Sequence, residues 1–198
     1  MDLQERDQLY IHQKLSLSFR RYQVFLGNGA GKADEDHVVA FIEQDKSSFK
    51  DKVVIYTDAD KSQVLAEVKA RKLIDLAAGF DVVTPDGEQI GGFKKEVGKS
   101  LMRTTWTLEQ EGEAPITVIE RSKPVAISRR LWTFLPVVGE FPFPMRFHFD
   151  FVRDGAVVGG VDKTHRLSDN YLAWTDQPKL DRRLLIAMGV ALDFRQGR

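Results

Sequence analysis

The side chains best suited to chemistry in this sequence are four cations that come shortly before an aromatic run. They are Arg121, Lys123, Arg129 and Arg130. Residues 131–145 follow with a single charge, and Trp132 and Phe134 lie near their start. Basic side chains attract anionic phospholipid headgroups at about 1 kcal/mol each, and an aromatic loop can dip into a membrane interface. The pattern therefore suggests a headgroup site, and its alternative is core strands with a rigid crossover flanked by solvated arginines.

A second candidate is the glycine-rich stretch at residues 27–32, Gly-Asn-Gly-Ala-Gly-Lys, which superficially suggests a phosphate-binding loop. Such a loop needs a glycine five positions before its second glycine, and a serine or threonine after its lysine to hold magnesium. Leu26 and Ala33 occupy those places. We therefore expect a hairpin loop here.

The titratable residues give no motif for catalysis or metal binding. The sequence has four scattered histidines, all predicted to be ordinary surface or hydrogen-bonded residues: His12, His37, His148 and His165. The alternative is a hydrolase site that folding would assemble from His148 or His165 and nearby aspartates. The acidic clusters at residues 34–36 and 58–60 lack the spacing of a calcium loop and predict solvated turns. No catalytic residue, metal ligand or cofactor is predicted, and we expect a protein without enzyme activity.

Composition narrows the classes of partner. The 198 residues carry 29 basic and 29 acidic side chains, so no overall positive charge favours nucleic acid. No cysteine is present, which excludes disulfides and thiolate chemistry and is compatible with a reducing compartment. The N-terminus lacks the apolar run of a signal peptide, and the longest apolar run, residues 184–192, is too short to span a bilayer. We expect a cytoplasmic protein with no transmembrane segment, whose membrane contact would be peripheral.

The elements that must position these residues include an internal repeat, at about residues 80–107 and 149–175. An offset of 68 gives eight identities in the 22 positions from Asp86, and Phe80-Asp81 matches Phe149-Asp150 once Pro85 is an insertion. The aligned identities are Asp86-Gly87 with Asp154-Gly155, Gly91-Gly92 with Gly159-Gly160, Lys95 with Lys163, Ser100 with Ser168, and Trp106-Thr107 with Trp174-Thr175. Each copy predicts a strand, a tight turn and a strand, with bulges or bends at the paired glycines.

The lysines that follow the paired glycines in each repeat, Lys94-Lys95 and Lys163, have two interpretations. Lysine on the edge of a sheet keeps it soluble and blocks unwanted pairing, and this is the favoured interpretation. The alternative is a second headgroup site.

Period-two alternation predicts further short strands. In the second copy Phe149 and Phe151 point one way while His148 and Asp150 point the other. The remaining candidates are residues 15–19, 22–26, 38–42, 53–56, 64–68 and 116–120. Many short strands at turn-punctuated spacing predict a barrel or sandwich.

A helix is predicted at about residues 181–194. Asp181 is a plausible N-cap, and residues 184–192 are apolar at every helical phase, so this helix must be enclosed. These patterns predict a mainly β fold, internally duplicated, in which a barrel or sandwich encloses the C-terminal helix, in one domain of residues 1–198.

These features resemble the tubby-like C-terminal fold of tubby proteins, phospholipid scramblases and the LURP-one-related family. The resemblance runs from about Leu9 to Phe194 and is most specific to the bacterial scramblase-like and LURP-one-related members. The residues that carry it are 53–58, Phe80-Asp81-Val82, Asp86-Gly87, Ile90-Gly91, Ser100, Trp106 and residues 181–185 leading into Ala187.

The resemblance implies a helix that runs through a closed barrel, and the predicted fold is therefore a closed antiparallel β-barrel around a buried C-terminal helix. It also implies a mixed set of functions: tubby domains bind phosphoinositides, scramblases are associated with lipid movement between leaflets, and LURP-one-related members mostly lack a defined activity. This sequence lacks the scramblases' palmitoylated cysteines and spanning tail, so lipid translocation is not expected. The predicted function is a binding or scaffold domain that contacts anionic phospholipid on its outer surface, with an unidentified protein as the alternative partner.

Overall fold

A computed structural model describes residues 3–15, 19–45, 52–71, 79–96, 103–122, 148–164 and 170–196. Within these residues twelve antiparallel strands form a closed barrel, in which each strand pairs with its neighbours in sequence and the last strand pairs with the first. A single helix follows the strands. The predicted fold class is thereby confirmed, and the assignment of residues 1–198 to one domain stays a prediction.

The barrel is a simple meander. Its strands are β1 (Gln8–Leu15), β2 (Phe19–Gly27), β3 (Ala33–Asp45), β4 (Lys52–Tyr56), β5 (Val64–Ala70), β6 (Gly79–Val83), β7 (Gln89–Lys95), β8 (Thr105–Gln110), β9 (Ile116–Glu120), β10 (His148–Arg153), β11 (Ala156–Lys163) and β12 (Asn170–Thr175). The helix α1 spans Arg182–Gln196, and a 3₁₀ turn, Leu3–Glu5, precedes β1. Of the strand predicted at residues 15–19, residues 16–18 lie outside the described residues, Leu15 is the last residue of β1 and Phe19 is the first of β2.

The hydrophobic core lies between the inward faces of the strands and α1. Phe149 and Phe151 on β10 are fully buried while His148 and Asp150 are not, as their alternation predicts. Residues 184–192 of α1 are buried, and α1 contacts β1, β5, β6, β7 and β12. The gap between α1 and the inward residues of β3, β4 and β5 has no volume for a water molecule. The helix therefore fills this part of the interior.

Two glycines allow this close packing. A Cβ at Gly189 of α1 would lie 2.7 Å from Cδ1 of Ile11, and a Cβ at Gly91 of β7 would lie 2.9 Å from Cδ2 of Leu184. Because real side chains do not approach this closely, larger residues at either place would separate the helix from the strands.

The paired glycines lie where the sequence predicts bends. Ladder irregularities fall between Val82 and Val83 opposite the first pair, and between Phe151 and Val152 opposite the second. A Cβ at Gly92 would meet the carbonyl oxygen of Phe80 at 2.7 Å. A Cβ at Gly160 would likewise lie 2.7 Å from the carbonyl oxygen of Phe149.

The offset of 68 does not hold in the third strand of each repeat. Gly92 pairs with Glu109, whereas Gly160 pairs with Trp174. Glu109, and not Trp106, is therefore the structural counterpart of Trp174. In agreement, Trp106 is buried in the core and Trp174 lies on the outer face.

Candidate functional site

A polar cluster on the outer face of β10, β11 and β12 contains the one predicted headgroup residue that the structure describes. Arg121 directly follows β9, and its backbone N–H donates to the carbonyl of His148 at 2.8 Å. Its Nε donates to Oδ1 of Asp150 at 2.8 Å, and its Nη2 lies 2.6 Å from the same oxygen and 3.3 Å from Oδ1 of Asp162. Hydrogen bonding to Asp150 raises the pKa of the Arg121 guanidinium. Two carboxylates thus compensate its charge.

His148 and Trp174 complete this cluster through the second carboxylate. Nδ1 of His148 lies 2.7 Å from Oδ1 of Asp162, and the indole N–H of Trp174 donates to Oδ2 at 3.1 Å. The histidine side chain is 32% exposed, so solvent reaches it. Asp162 therefore accepts from three side chains at once, counting Arg121. We name these five residues, Arg121, His148, Asp150, Asp162 and Trp174, the Asp162 cluster.

The Asp162 cluster meets only part of the requirement for a hydrolase. A histidine paired with a carboxylate could act as a general base if a nucleophilic hydroxyl lay within hydrogen-bond reach. Among the described residues no hydroxyl bonds to His148. The cluster orders side chains on a surface, and the chemistry available to it is hydrogen bonding and charge.

The first repeat carries a matching set of contacts. Arg71, directly after β5, donates from Nε to Oδ1 of Asp81 at 2.8 Å, as Arg121 does to Asp150. Nζ of Lys94 lies 3.3 Å from Oε1 of Glu109. These two residues stand at the register positions of Asp162 and Trp174, with a charge pair in place of the indole hydrogen bond.

Two cavities lie beside the first repeat. One, of about 390 Å³, is lined by Gly91, Gly92, Arg71 and Glu109 among others. A second, of about 580 Å³, lies where the barrel rim, the 3₁₀ turn and the start of α1 meet. The two cavities share four lining residues, Gln89, Ile90, Gln110 and Glu111. Gln110 is already used there, since its amide accepts from Asp181 N–H at 2.9 Å and donates to the carbonyl of Lys179 at 2.8 Å.

Inside the barrel, polar side chains fasten both ends of α1. Near its C-terminus Asp193 is 3% exposed and accepts from the hydroxyl of Tyr22 at 2.7 Å and from that of Tyr171. Burial, and then the charge of Asp193, raise the pKa of Tyr22 well above its usual value. At the helix start, Arg183 N–H donates to Oδ1 of Asp181 at 2.8 Å, which confirms the N-cap.

Arg182 ties the start of α1 to the segments before it. Its side chain is 1% exposed and donates from Nη1 to the carbonyls of Gln177 and Leu180 at 3.0 and 2.5 Å. Its Nε donates to the carbonyl of Arg6. Burial lowers the pKa of this guanidinium, and the charges of Asp7 and Asp181 oppose that effect.

Most of the predicted headgroup residues fall outside the described residues. These are Lys123, Arg129, Arg130, Trp132 and Phe134, and His165, Ser100 and Ser168 lie outside as well. The lysine-edge interpretation was wrong for Lys163, which is 5% exposed on an inward position of β11, because a closed barrel has no free edge to protect.

The other sequence candidates form local structure. Residues 27–32 close the β2–β3 hairpin, where Oδ1 of Asn28 accepts from the N–H groups of Ala30 and Lys32. Asp58 accepts from Ser62 and Thr57, and these hydrogen bonds, Ser62 first, lower its pKa. His37 bonds to Asp34 at an exposed site. No group of three or more potential metal ligands occurs in the part of the chain that the structure describes.

Sequence reasoning missed Asp162 and the two arginine–aspartate pairs. Asp81 and Asp150 were both visible as part of the repeat, and their outward position follows from alternation with buried phenylalanines. Arg71 and Arg121 were not recognised as equivalent, because they precede their aspartates by 10 and 29 residues.

A comparison with protein families gives one match: the model of the LURP-one-related family matches residues 38–193. The chain belongs to the LURP-one-related family. This family has the tubby-like fold, and the resemblance seen in the sequence is confirmed. Comparisons with curated proteins and with solved structures gave no match. None of the helices described in this LURP-one-related protein is long and apolar enough to cross a membrane.

Proposed function

We propose that this LURP-one-related protein is a non-enzymatic, cytoplasmic binding module that contacts anionic phospholipid on its outer surface. The observation that carries the proposal is the position of α1. Its residues 184–192 are buried against the inward faces of the strands, which is the space that a lipocalin-like barrel uses for a ligand. A ligand would therefore bind to outward-facing residues and loops.

Arg121 has a positioning role in this proposal. Asp150 and Asp162 hold its guanidinium, so it contributes little free charge and instead fixes the chain at the point where the cationic, aromatic stretch begins. In this proposal, the positive charges that attract the headgroups are those of Lys123, Arg129 and Arg130. The aromatic rings that dip into the membrane interface are those of Trp132 and Phe134. Three cations at about 1 kcal/mol each would change vesicle affinity roughly 100-fold.

Co-sedimentation with vesicles tests the proposal. Wild type should bind vesicles of phosphatidylcholine and phosphatidylserine more tightly than vesicles of phosphatidylcholine alone, and added salt should weaken this binding. Replacing Lys123, Arg129 and Arg130 by Gln should remove most of the preference.

A matched control removes the same charge elsewhere. Lys14, Lys32 and Lys179 are exposed, and their triple replacement by Gln should leave vesicle binding within about threefold of wild type. Equal binding to neutral and anionic vesicles, or binding that salt does not alter, would reject the lipid proposal and favour a protein partner.

A further inference from the structure

Each repeat has a row of three outward-facing residues at paired positions on neighbouring strands, and the two rows differ in one residue. The row is Asp150, Gly160 and Trp174 in the second repeat, and Asp81, Gly92 and Glu109 in the first. In each repeat an arginine bonds to the aspartate of this row, and the third residue contacts the side chain two positions after the glycine. The second repeat is therefore a template for the first.

In the second repeat the indole of Trp174 occupies the space above the glycine. A Cβ built on Gly160 would lie 3.1 Å from Nε1 and 3.5 Å from Cε2 of Trp174. The indole thus packs on the glycine backbone, and its N–H donates to Asp162. A glycine at this place is needed because any side chain would displace the ring.

In the first repeat the corresponding space holds the guanidinium of Arg71, and a cavity lies beside it. Glu109 stands where Trp174 stands, and the cavity of about 390 Å³ is lined by Gly91, Gly92, Arg71 and Glu109. Nη2 of Arg71 lies 2.6 Å from the position of a Cβ on Gly92, so the guanidinium extends over the glycine. Asp81 holds that guanidinium in place from one edge.

We propose that this cavity binds a planar aromatic ring that carries an N–H or O–H donor. The ring lies in the cavity beside Gly92 and against the guanidinium of Arg71, which takes the place over Gly92 that the indole of Trp174 takes over Gly160. The backbone of Gly91 and Gly92 forms part of the cavity wall, and the Arg71 guanidinium offers a cation for the ring face. Oε1 of Glu109 contacts Lys94, and its second oxygen can accept from the ring's donor.

The volume is within the range of small-molecule sites, and an aromatic side chain of a peptide presents the same ring. The proposal is independent of the contact with phospholipid, since it concerns β6, β7 and β8 and not residues 121–134. Loss of one would leave the other unchanged.

Titration of the ¹⁵N-labelled full chain with free indole and with N-acetyltryptophanamide tests the proposal, with N-acetylleucinamide as the aliphatic control. The aromatic probes should give saturable shifts at Gly91, Gly92 and Arg71 Nε–H, at affinities at least tenfold above the control. Tighter binding of free indole would indicate a small-molecule ligand, and tighter binding of N-acetyltryptophanamide would indicate an aromatic side chain of a peptide. No saturable shift at these residues with either aromatic probe would overturn the proposal.

Two variants make the test specific. The pair Glu109→Trp and Lys94→Asp introduces the indole and the carboxylate of the second repeat, and the new indole should fill the cavity and abolish the indole shifts. Persisting shifts in a folded double variant would overturn the proposal. Arg71→Gln is the second test if the pair fails to fold: it should weaken indole binding at least fivefold, and unchanged binding counts against the site.

Discussion

Removing the hydroxyl of Tyr22 tests how firmly α1 is fixed inside the barrel. Tyr22 is fully buried, and its hydroxyl donates to Asp193 at 2.7 Å and accepts from Nε2 of Gln13 at 3.0 Å. Tyr22→Phe leaves a buried carboxylate with one donor fewer. A hydrogen bond to a charged group contributes about 1.5–3 kcal/mol, so we expect the free energy of unfolding to fall by about 2 kcal/mol. Tyr171→Phe, at the other oxygen of Asp193, should have a similar effect.

Urea unfolding followed by circular dichroism measures this change. Tyr10→Phe is the matched control, because Tyr10 is also buried but its hydroxyl has no hydrogen bond within the described part of the chain. It should change stability by less than about 0.5 kcal/mol. If Tyr22→Phe and Tyr171→Phe also stay below that value, the polar contacts of Asp193 do not hold the helix.

The buried phenol of Tyr22 also predicts how the free energy of unfolding changes at alkaline pH. The folded state raises the pKa of Tyr22, so above about pH 10 the unfolded chain loses this proton while the folded chain keeps it. Stability contributed by the protonated phenol is therefore present below pH 10 and lost as pH rises beyond it. Tyr22→Phe should lose less stability than wild type between pH 9 and 11.

Three further perturbations follow from other contacts. Leu185→Ala should lower the free energy of unfolding by about 3 kcal/mol in denaturant titration, because the side chain of Leu185 on α1 is fully buried in the core. A decrease of less than about 1 kcal/mol would mean that this side chain is not tightly packed. Gly160→Ala should lower Tm, since its Cβ would lie 2.7 Å from the carbonyl oxygen of Phe149, and an unchanged Tm would contradict that packing. The hydrogen bond from Lys52, followed by that from Lys69, lowers the pKa of Glu67 in the folded state. The contribution of ionised Glu67 to folding stability is therefore present above about pH 4.5, and it is lost as the pH falls through the pKa of the folded state. Glu67→Gln should lose less stability than wild type from pH 6 to pH 3, by up to about 1 kcal/mol, and equal acid sensitivity would show that the pairs contribute nothing measurable.

Local patterns were sufficient to predict most strands and the enclosed helix, and the resemblance to the tubby-like fold predicted the closure of the barrel. Alternation around Phe149 and Phe151 identified an inward face, and the unbroken apolar surface of residues 184–192 required an enclosed helix. Asp181 was recognisable as a cap because N-capping depends only on residues at the start of the helix, here Asp181 and the N–H of Arg183. These signals depend on neighbouring residues alone, which a single sequence contains.

Long-range register was not predictable from the same patterns. Identity of Trp106 and Trp174 at the offset of 68 suggested equivalence, but nine residues separate β7 from β8 and only six separate β11 from β12. The three-residue difference moves Trp174 to the opposite face from Trp106, since an odd shift in a strand reverses the side of every residue.

The Asp162 cluster depended on this register. Only the paired strands show that Trp174 and His148 both reach Asp162, from β12 and β10. The cationic residues after Arg121 were recognisable by composition, and their contribution to binding rests on the vesicle experiments.

The most direct test of the central claim, that ligand contacts lie outside a barrel filled by α1, is an NMR titration of the ¹⁵N-labelled chain with a short-chain phosphatidylserine. We predict saturable shifts at Arg121 and in residues 123–134, while the amides of Leu185, Met188 and Ala191 stay unchanged. Shifts concentrated at those three helix residues would place the ligand inside the barrel and contradict the account.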